Sequence, residues 1–237
     1  MHHRVGSALD DTTLRWPGGW VRVRPWRALS DIAALSVSAD RPPTAGFVAE
    51  CLEHVRARGC THVITSALAP ADASPFLDAG FLVRERLHVL AHDMGEIGRP
   101  PRSTRRARTR DRPAVLALDR LAFDESWQLD AHGLEDAIHA TPIARFRVAG
   151  DDRIAAYAIS GRSGTQGYLQ RLAVAPDSHR LGWGRTVVID ALRWLRRHGV
   201  GRTVVNTQLD NASALALYEA CGFSRLRVGL AVLGRTL

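Results

Sequence analysis

Residues 172–185 read Leu-Ala-Val-Ala-Pro-Asp-Ser-His-Arg-Leu-Gly-Trp-Gly-Arg. An apolar strand, Gly167 to Val174, ends at Pro176, and a loop holding Gly182 and Gly184 follows. A helical pattern then runs from Gly184 to His198, with Val187, Val188, Ala191, Trp194 and Leu195 on one face and Gly199 as its stop. Glycines let backbone N–H groups approach a ligand closely. The first amides of a helix lack an internal acceptor and sit at the positive end of its dipole, a combination that binds phosphate. The lysine and hydroxyl of a Walker A loop are missing, and so is the three-glycine dinucleotide fingerprint, which argues against a nucleoside triphosphatase. On spacing alone the loop is either an anion cradle or a turn that packs a helix on a strand.

The flanking sequence supplies a mixed α/β order. Downstream, Thr203 to Thr207 reads as a strand, Asn211 as a helix N-cap, Gly222 as that helix's end, and Ser224 to Leu233 as the last strand. Upstream, Arg105 to Thr109 reads as a short strand, and Arg112 to Ala122 and His132 to Ala140 as helices. Ala144 to Ala149 and Arg153 to Ser160 read as strands joined at Gly150-Asp151-Asp152.

Part of this order occurs twice. Leu52 to Leu90 and Leu192 to Leu233 both run helix, Gly, strand, short helix, Gly-Phe, strand; Gly59 matches Gly199, and Gly80-Phe81 matches Gly222-Phe223. Val21 onward also echoes Arg105 onward, and the second copy carries an insert, Ala122 to Arg185, that the first lacks. The expected organisation is a tail over 1–19, a degenerate half-copy over 20–94, a Pro/Gly linker over 95–103 and a complete domain over 104–237. The first copy has no glycine loop between strand and helix, and Leu77 stands where Tyr218 would align. It should bind no cofactor, and is expected to pack against the active copy.

Composition bounds the rest. The 237 residues are 46% apolar and 24% charged, ordinary for a globular chain. No apolar run is long enough to span a membrane, and residues 1–20 lack a signal-peptide pattern, so a cytoplasmic protein is expected. Cys51, Cys60 and Cys221 have neither disulfide-framework nor zinc-site spacing, so no metal is expected. The net charge of +8 comes from arginine alone; lysine is absent, which points to a GC-rich genome more than to a selected surface. Seven arginines between Arg99 and Arg112 have no interleaved aromatic residue, and read as a solvated linker in preference to a nucleic-acid patch.

Two stretches resemble the GNAT superfamily of N-acetyltransferases. His179-Arg-Leu-Gly-Trp-Gly184 is similar to the family's (Gln/Arg)-x-x-Gly-x-(Gly/Ala), with a departure at the first position. Asn211-Ala-Ser-Ala-Leu-Ala-Leu-Tyr-Glu-Ala-Cys-Gly-Phe223 is similar to N-x-x-A-x-x-L-Y-x-x-x-G-F. The likeness covers Arg102 to Leu237. It implies acetyl-coenzyme A as donor, its pyrophosphate on His179, Arg180, Leu181, Gly182, Trp183, Gly184 and Arg185. It implies a pantetheine arm beside Leu172, Ala173 and Val174, with the Val174 amide on the thioester oxygen. Asn211 would touch the arm, and Tyr218 would protonate the departing thiolate. The acceptor would be a primary amine, either a protein N-terminus or a small molecule.

Family members often carry a Glu on the strand equivalent to Gly167–Val174. Here Gln170 is present and no carboxylate is, which leaves Asp124, Glu125, His132 and Glu135 as candidates for a base. Ala122-Phe-Asp-Glu-Ser-Trp127 resembles the Phe-x-x-x-Trp turn of the ribosomal-protein alanine N-acetyltransferases; two aromatics anchoring a loop is the other reading. A non-catalytic acyl-coenzyme A sensor is the alternative for the whole chain.

Overall fold

The computed structural model describes residues 10–26 and 29–237. It separates into two compact units, one of residues 1–88 with 227–237 and one of residues 89–226. This differs from the 20–94 and 104–237 division expected above. The boundary falls inside a strand, and the end of the chain belongs with the first unit.

The first unit contains β1 (Thr12–Trp16), β2 (Gly19–Trp26), β3 (Leu29–Ala39), α1 (Ala45–Arg56), β4 (His62–Thr65), α2 (Pro70–Asp78) and the start of β5 (Leu82–His92). The second contains the end of β5, then β6 (Arg105–Arg106), α3 (Arg112–Ala122), α4 (Ala131–His139), β7 (Ile143–Ala149), β8 (Ala156–Ser163), β9 (Gln166–Val174), α5 (Trp183–Arg197), β10 (Arg202–Gln208), α6 (Ala212–Ala220) and β11 (Ser224–Arg225). The last strand, β12 (Leu230–Thr236), returns to the first unit, between β4 and β5. The strand expected over Ser224 to Leu233 is thus two strands. In the second unit β7, β8 and β9 are antiparallel, β9 and β10 parallel, and β11 pairs with the end of β5 at Ala91 and Leu90. The mixed α/β sheet read from the sequence is the architecture found.

The repeat is visible in matched helix ends. Gly59 and Gly199 take φ +80 and +76, and Gly80 and Gly222 take +83 and +92, left-handed values that glycine adopts without a Cβ penalty. The same closing bond follows each pair: Cys60 N–H to Val55 O and Val200 N–H to Leu195 O at 3.2 Å, Phe81 N–H to Phe76 O and Phe223 N–H to Tyr218 O at 3.0 Å. These bonds align Tyr218 with Phe76, not with Leu77. Phe76 is fully buried with Phe81 edge-on at 5.2 Å, as Tyr218 lies 5.7 Å from Phe223. Leu77 is 42% exposed because it is one residue round the helix.

Two other expectations change. The echo between Val21 and Arg105 is not structural: Val21 and Val23 alternate inward on β2, whereas Arg105 opens β6 and leads into α3, where Pro113 sits in the first turn. By element order β1 and β2 correspond to β7 and β8, so the first copy lacks β6, α3 and α4 instead of the stretch Ala122 to Arg185. The part of the expected tail that is described, from residue 10, includes a hairpin. Its Gly18 carbonyl accepts from Asp40 and Arg41 N–H, and Trp16 lies 4.6 Å from Phe47.

The presumed solvated linker is laid on α5. Arg196 and Arg193 donate to Gly95 and Gly98 carbonyls at 2.7 and 3.2 Å, and Ile97 is buried. Several of its arginines are engaged: Arg102 stacks 4.4 Å over Trp183, Arg105 binds Asp111, and Arg112 pairs with Glu135.

Candidate active site

The site begins where β9 and β10 part. Their ladder holds only over Arg202–Gln166, Thr203–Gly167 and Val204–Tyr168. Beyond it β9 continues to Val174 with β8 on one edge. The Ala175 N–H donates to Ala155 O on the β8 side at 2.8 Å. Backbone amides alternate edges along a strand, so the Val174 and Leu172 N–H groups face the edge that β10 has left. The first unit is an internal control. There the β3–β4 pairing runs on: Ser66 N–H donates to Leu35 O at 2.7 Å, and the Ser66 hydroxyl accepts from Val37 N–H at 3.1 Å. Ser66 closes the gap that opens in the second unit.

A bulge sits at the mouth of the split. Ser160 pairs with Leu169 and Ile159 with Arg171, leaving Gln170 as the extra residue. Leu169 and Leu172 pack with the α5 core, whereas Gln170 reaches Thr141 at 3.2 Å and Arg171 reaches Asp119 of α3. The bulge therefore turns two consecutive polar side chains away from α5.

The loop before α5 is shaped by left-handed residues. Arg180 has φ +61 and Gly182 φ +85. The first helical bond is Thr186 N–H to Gly182 O, so the amides of Trp183, Gly184 and Arg185 have no acceptor within the helix. The two glycines do different things. A Cβ at Gly182 would meet open space but a disfavoured φ; a Cβ at Gly184 would lie 2.9 Å from Leu217 and 3.4 Å from Val174. Gly184 thus sets helix-to-strand packing, and the close-approach role read for both glycines belongs to Gly182. The His179 ring N–H donates to Val174 O at 3.2 Å, which pins the loop to the strand end. Arg180, Leu181 and Arg185 are exposed, Arg185 donating to Ala220 O at 2.9 Å. Trp183 is buried beneath Arg102.

Asn211 caps α6, its side-chain oxygen accepting from Ala214 N–H at 3.0 Å. On that helix Tyr218 is 6% exposed; its hydroxyl bonds to none of the described residues and is not among the buried polar atoms left unsatisfied, so that oxygen is where the residue meets solvent. Burial pushes the phenol upward, a nearby Cys221 adds to this, and the Arg171 guanidinium opposes it. The backbone-tethered core tyrosine is not what is found.

The candidates for a base are dispersed. Glu135 is engaged by Arg112 and lies 3.7 Å from His139, while Asp124, Glu125 and His132 are exposed. Among the described residues no group of three or more His, Cys, Asp or Glu is placed to hold a metal.

Sequence reading missed the group behind the split. Asp119, fully buried, accepts from Arg171 Nε and Nη2 at 2.8 Å each, from Leu129 N–H at 2.7 Å and from the Tyr157 hydroxyl. Arg171 Nη2 also donates to Trp127 O at 2.7 Å, and its guanidinium lies 3.5 Å over the Phe123 ring. One arginine thus holds the Phe123 ring and the Trp127 backbone carbonyl. The available signals were Asp119 on the apolar face of its helix, four residues after Val115, and a Gln-Arg pair inside an apolar strand.

Comparison with known proteins adds the following. Residues 112–223 match the model of the acetyltransferase (GNAT) family. The chain is 29% identical over 123 residues to the ribosomal protein bS18-alanine N-acetyltransferase of Salmonella typhimurium, covering 51% of this chain and 79% of that one. It is 37% identical over 60 residues to the mycothiol acetyltransferase of Rhodococcus opacus, 25% of this chain and 20% of that one. A tandem GNAT protein from the clavulanic acid biosynthesis pathway superposes with a TM-score of 0.68 at 16% identity, over 98% of this chain and 84% of that one, a likeness of fold.

Proposed function

We propose that this chain, whose residues 112–223 match the GNAT acetyltransferase family, transfers an acetyl group from acetyl-coenzyme A to a primary amine. The split between β9 and β10, present in one repeat and closed by Ser66 in the other, carries this reading. The amides of Trp183, Gly184 and Arg185 at the α5 N-terminus, with exposed Arg180 nearby, suit a pyrophosphate. The open edge of β9, which carries the Leu172 and Val174 amides while Ala173 faces β8, suits a pantetheine arm, and Asn211 is the residue we assign to its far side.

In the reaction the amine nitrogen attacks the thioester carbon, and negative charge develops on the carbonyl oxygen. The Val174 N–H, on the open edge of β9, is the donor we assign to that oxygen; a donor of this kind typically contributes about 10²–10³ in rate. The C–S bond then breaks, the thiolate takes the Tyr218 proton, and the proton shed by the acylated nitrogen returns through water to the phenolate. Burial raises the phenol and so works against this donation, and the Arg171 guanidinium offsets part of that rise. Asp119 is filled with donors and β9 has no carboxylate, so the amine arrives neutral after losing its proton to water.

That β9 carries no carboxylate favours a second reading, an acyl-coenzyme A sensor without turnover. Acetyl-coenzyme A should raise the melting temperature under either reading. Amine-dependent release of free thiol should accompany the enzyme alone. The bS18-alanine relative makes a protein N-terminus the first acceptor to try, with small amines beside it. No helix among the described residues is long and apolar enough to cross a membrane, and a cytoplasmic location fits this chemistry.

A further inference from the structure

The polar atoms of Arg171 divide into two sets. Nε and Nη2 are spent on Asp119, and Nη2 also on Trp127 O. Nη1 has no hydrogen-bond partner among the described residues, and it is not among the buried polar atoms left unsatisfied. The side chain is 11% exposed, so Nη1 is a nitrogen through which Arg171 meets solvent. The bulge places it on the face of β9 away from α5, and the guanidinium's charge is felt at the Tyr218 hydroxyl. A donor is thus held beside the split, on the side where α3 and the Phe123–Leu129 segment stand.

Three features fix that donor. The pairing with Asp119 is bidentate, which sets the guanidinium plane. The Phe123 ring lies under it. The Asp119 carboxylate is itself held by Leu129 N–H and the Tyr157 hydroxyl. The pair is neutral overall, so Nη1 offers a directed N–H more than a free positive charge. Such a group suits an uncharged oxygen acceptor and repels an incoming ammonium less than a lone arginine would.

We infer that Arg171 Nη1 binds a carbonyl oxygen next to the acetylated amine, so that the acceptor is an α-aminoacyl group, as at a peptide N-terminus, and not a simple alkylamine. Asp119 is the positioning residue for this contact. The inference rests on the acetyltransferase reading. It adds a requirement on the acceptor that neither the donor site nor Tyr218 imposes.

L-Alaninamide and isopropylamine test it, since the second is the first with its carboxamide replaced by methyl. Thiol release from acetyl-coenzyme A is measured with each. Because an α-amino amide titrates about 2 units below an alkylamine, kcat/KM is expressed per unprotonated amine for both probes; on that basis the expected preference for alaninamide is about tenfold, the worth of one well-placed hydrogen bond. Arg171→Met with Asp119→Asn removes both charges together and avoids an unpaired buried ion. In this double variant the preference should collapse towards unity, while the acetyl-coenzyme A melting shift persists. An unchanged preference in the double variant, or none in the wild type, overturns the assignment. A melting shift with turnover of neither amine also counts against this acceptor class. Loss of the melting shift in the wild type would instead strike the acetyltransferase reading beneath it.

Discussion

Replacing Tyr218 by Phe removes one oxygen and little else. The ring packs beside Phe223, and the hydroxyl makes no hydrogen bond that its loss would break. The protein already contains the outcome: the aligned position in the first repeat is Phe76, packed on Phe81 in the same way. Stability should therefore change by no more than about 0.5 kcal/mol, against about 1 kcal/mol for a tethered core tyrosine. Turnover should fall by about 10²-fold, the lower end of general acid catalysis, because a thiol is a fairly good leaving group. Acetyl-coenzyme A affinity should hold. Thiol-release kinetics and a melting curve on this one variant decide the matter. Turnover within about threefold of wild type would remove Tyr218 from the chemistry. So would a drop in turnover explained by a large fall in melting temperature.

Gly182→Ala places a Cβ at φ +85 without a clash, so it should cost about 1–2 kcal/mol and weaken the acetyl-coenzyme A melting shift; an unchanged melting curve would show that the loop is not held left-handed. Calorimetry should give one acetyl-coenzyme A per chain, because the first repeat replaces the glycine loop with Pro42-Pro43, which have no N–H, and closes its strands with Ser66; two sites would refute this. Asp111 is held at about 2, below its usual 3.8, first by its hydrogen bonds from Arg105 and then by Arg108 N–H. Its folded value is depressed, so its stabilisation is full above pH about 4 and lost as pH falls towards 2. With Arg105 half-exposed the effect is about 1 kcal/mol. Asp111→Asn should lower the melting temperature at pH 7 and converge with wild type near pH 2; a gap that persists there would refute the pairing.

The sequence made the second unit's helices and strands legible because each has an unmixed period and a marked end. The face of α5 and the glycine stops at Gly199 and Gly222 are local signals. The glycine loop, the Asn211 cap and Tyr218 were legible through motif spacing. Three features were not. The return of β12 to the first unit is a choice of partner strand, which no local pattern records. The bulge at Gln170 depends on a register difference between β8 and β9 that appears only when both strands are paired. Asp119 and Arg171 are 52 residues apart in sequence, and each alone reads as a solvated charge. The alignment of Leu77 with Tyr218 was one residue out: Tyr218 lies four before Gly222, the residue four before Gly80 is Phe76, and the closing bonds agree.

The most direct measurement is release of free coenzyme A thiol from acetyl-coenzyme A, followed with and without a primary amine. The account predicts release that depends on the amine, saturates in it, and rises with pH as the amine loses its proton. Acetyl-coenzyme A that binds, raises the melting temperature and yet releases no thiol with peptide N-termini or small amines would contradict it.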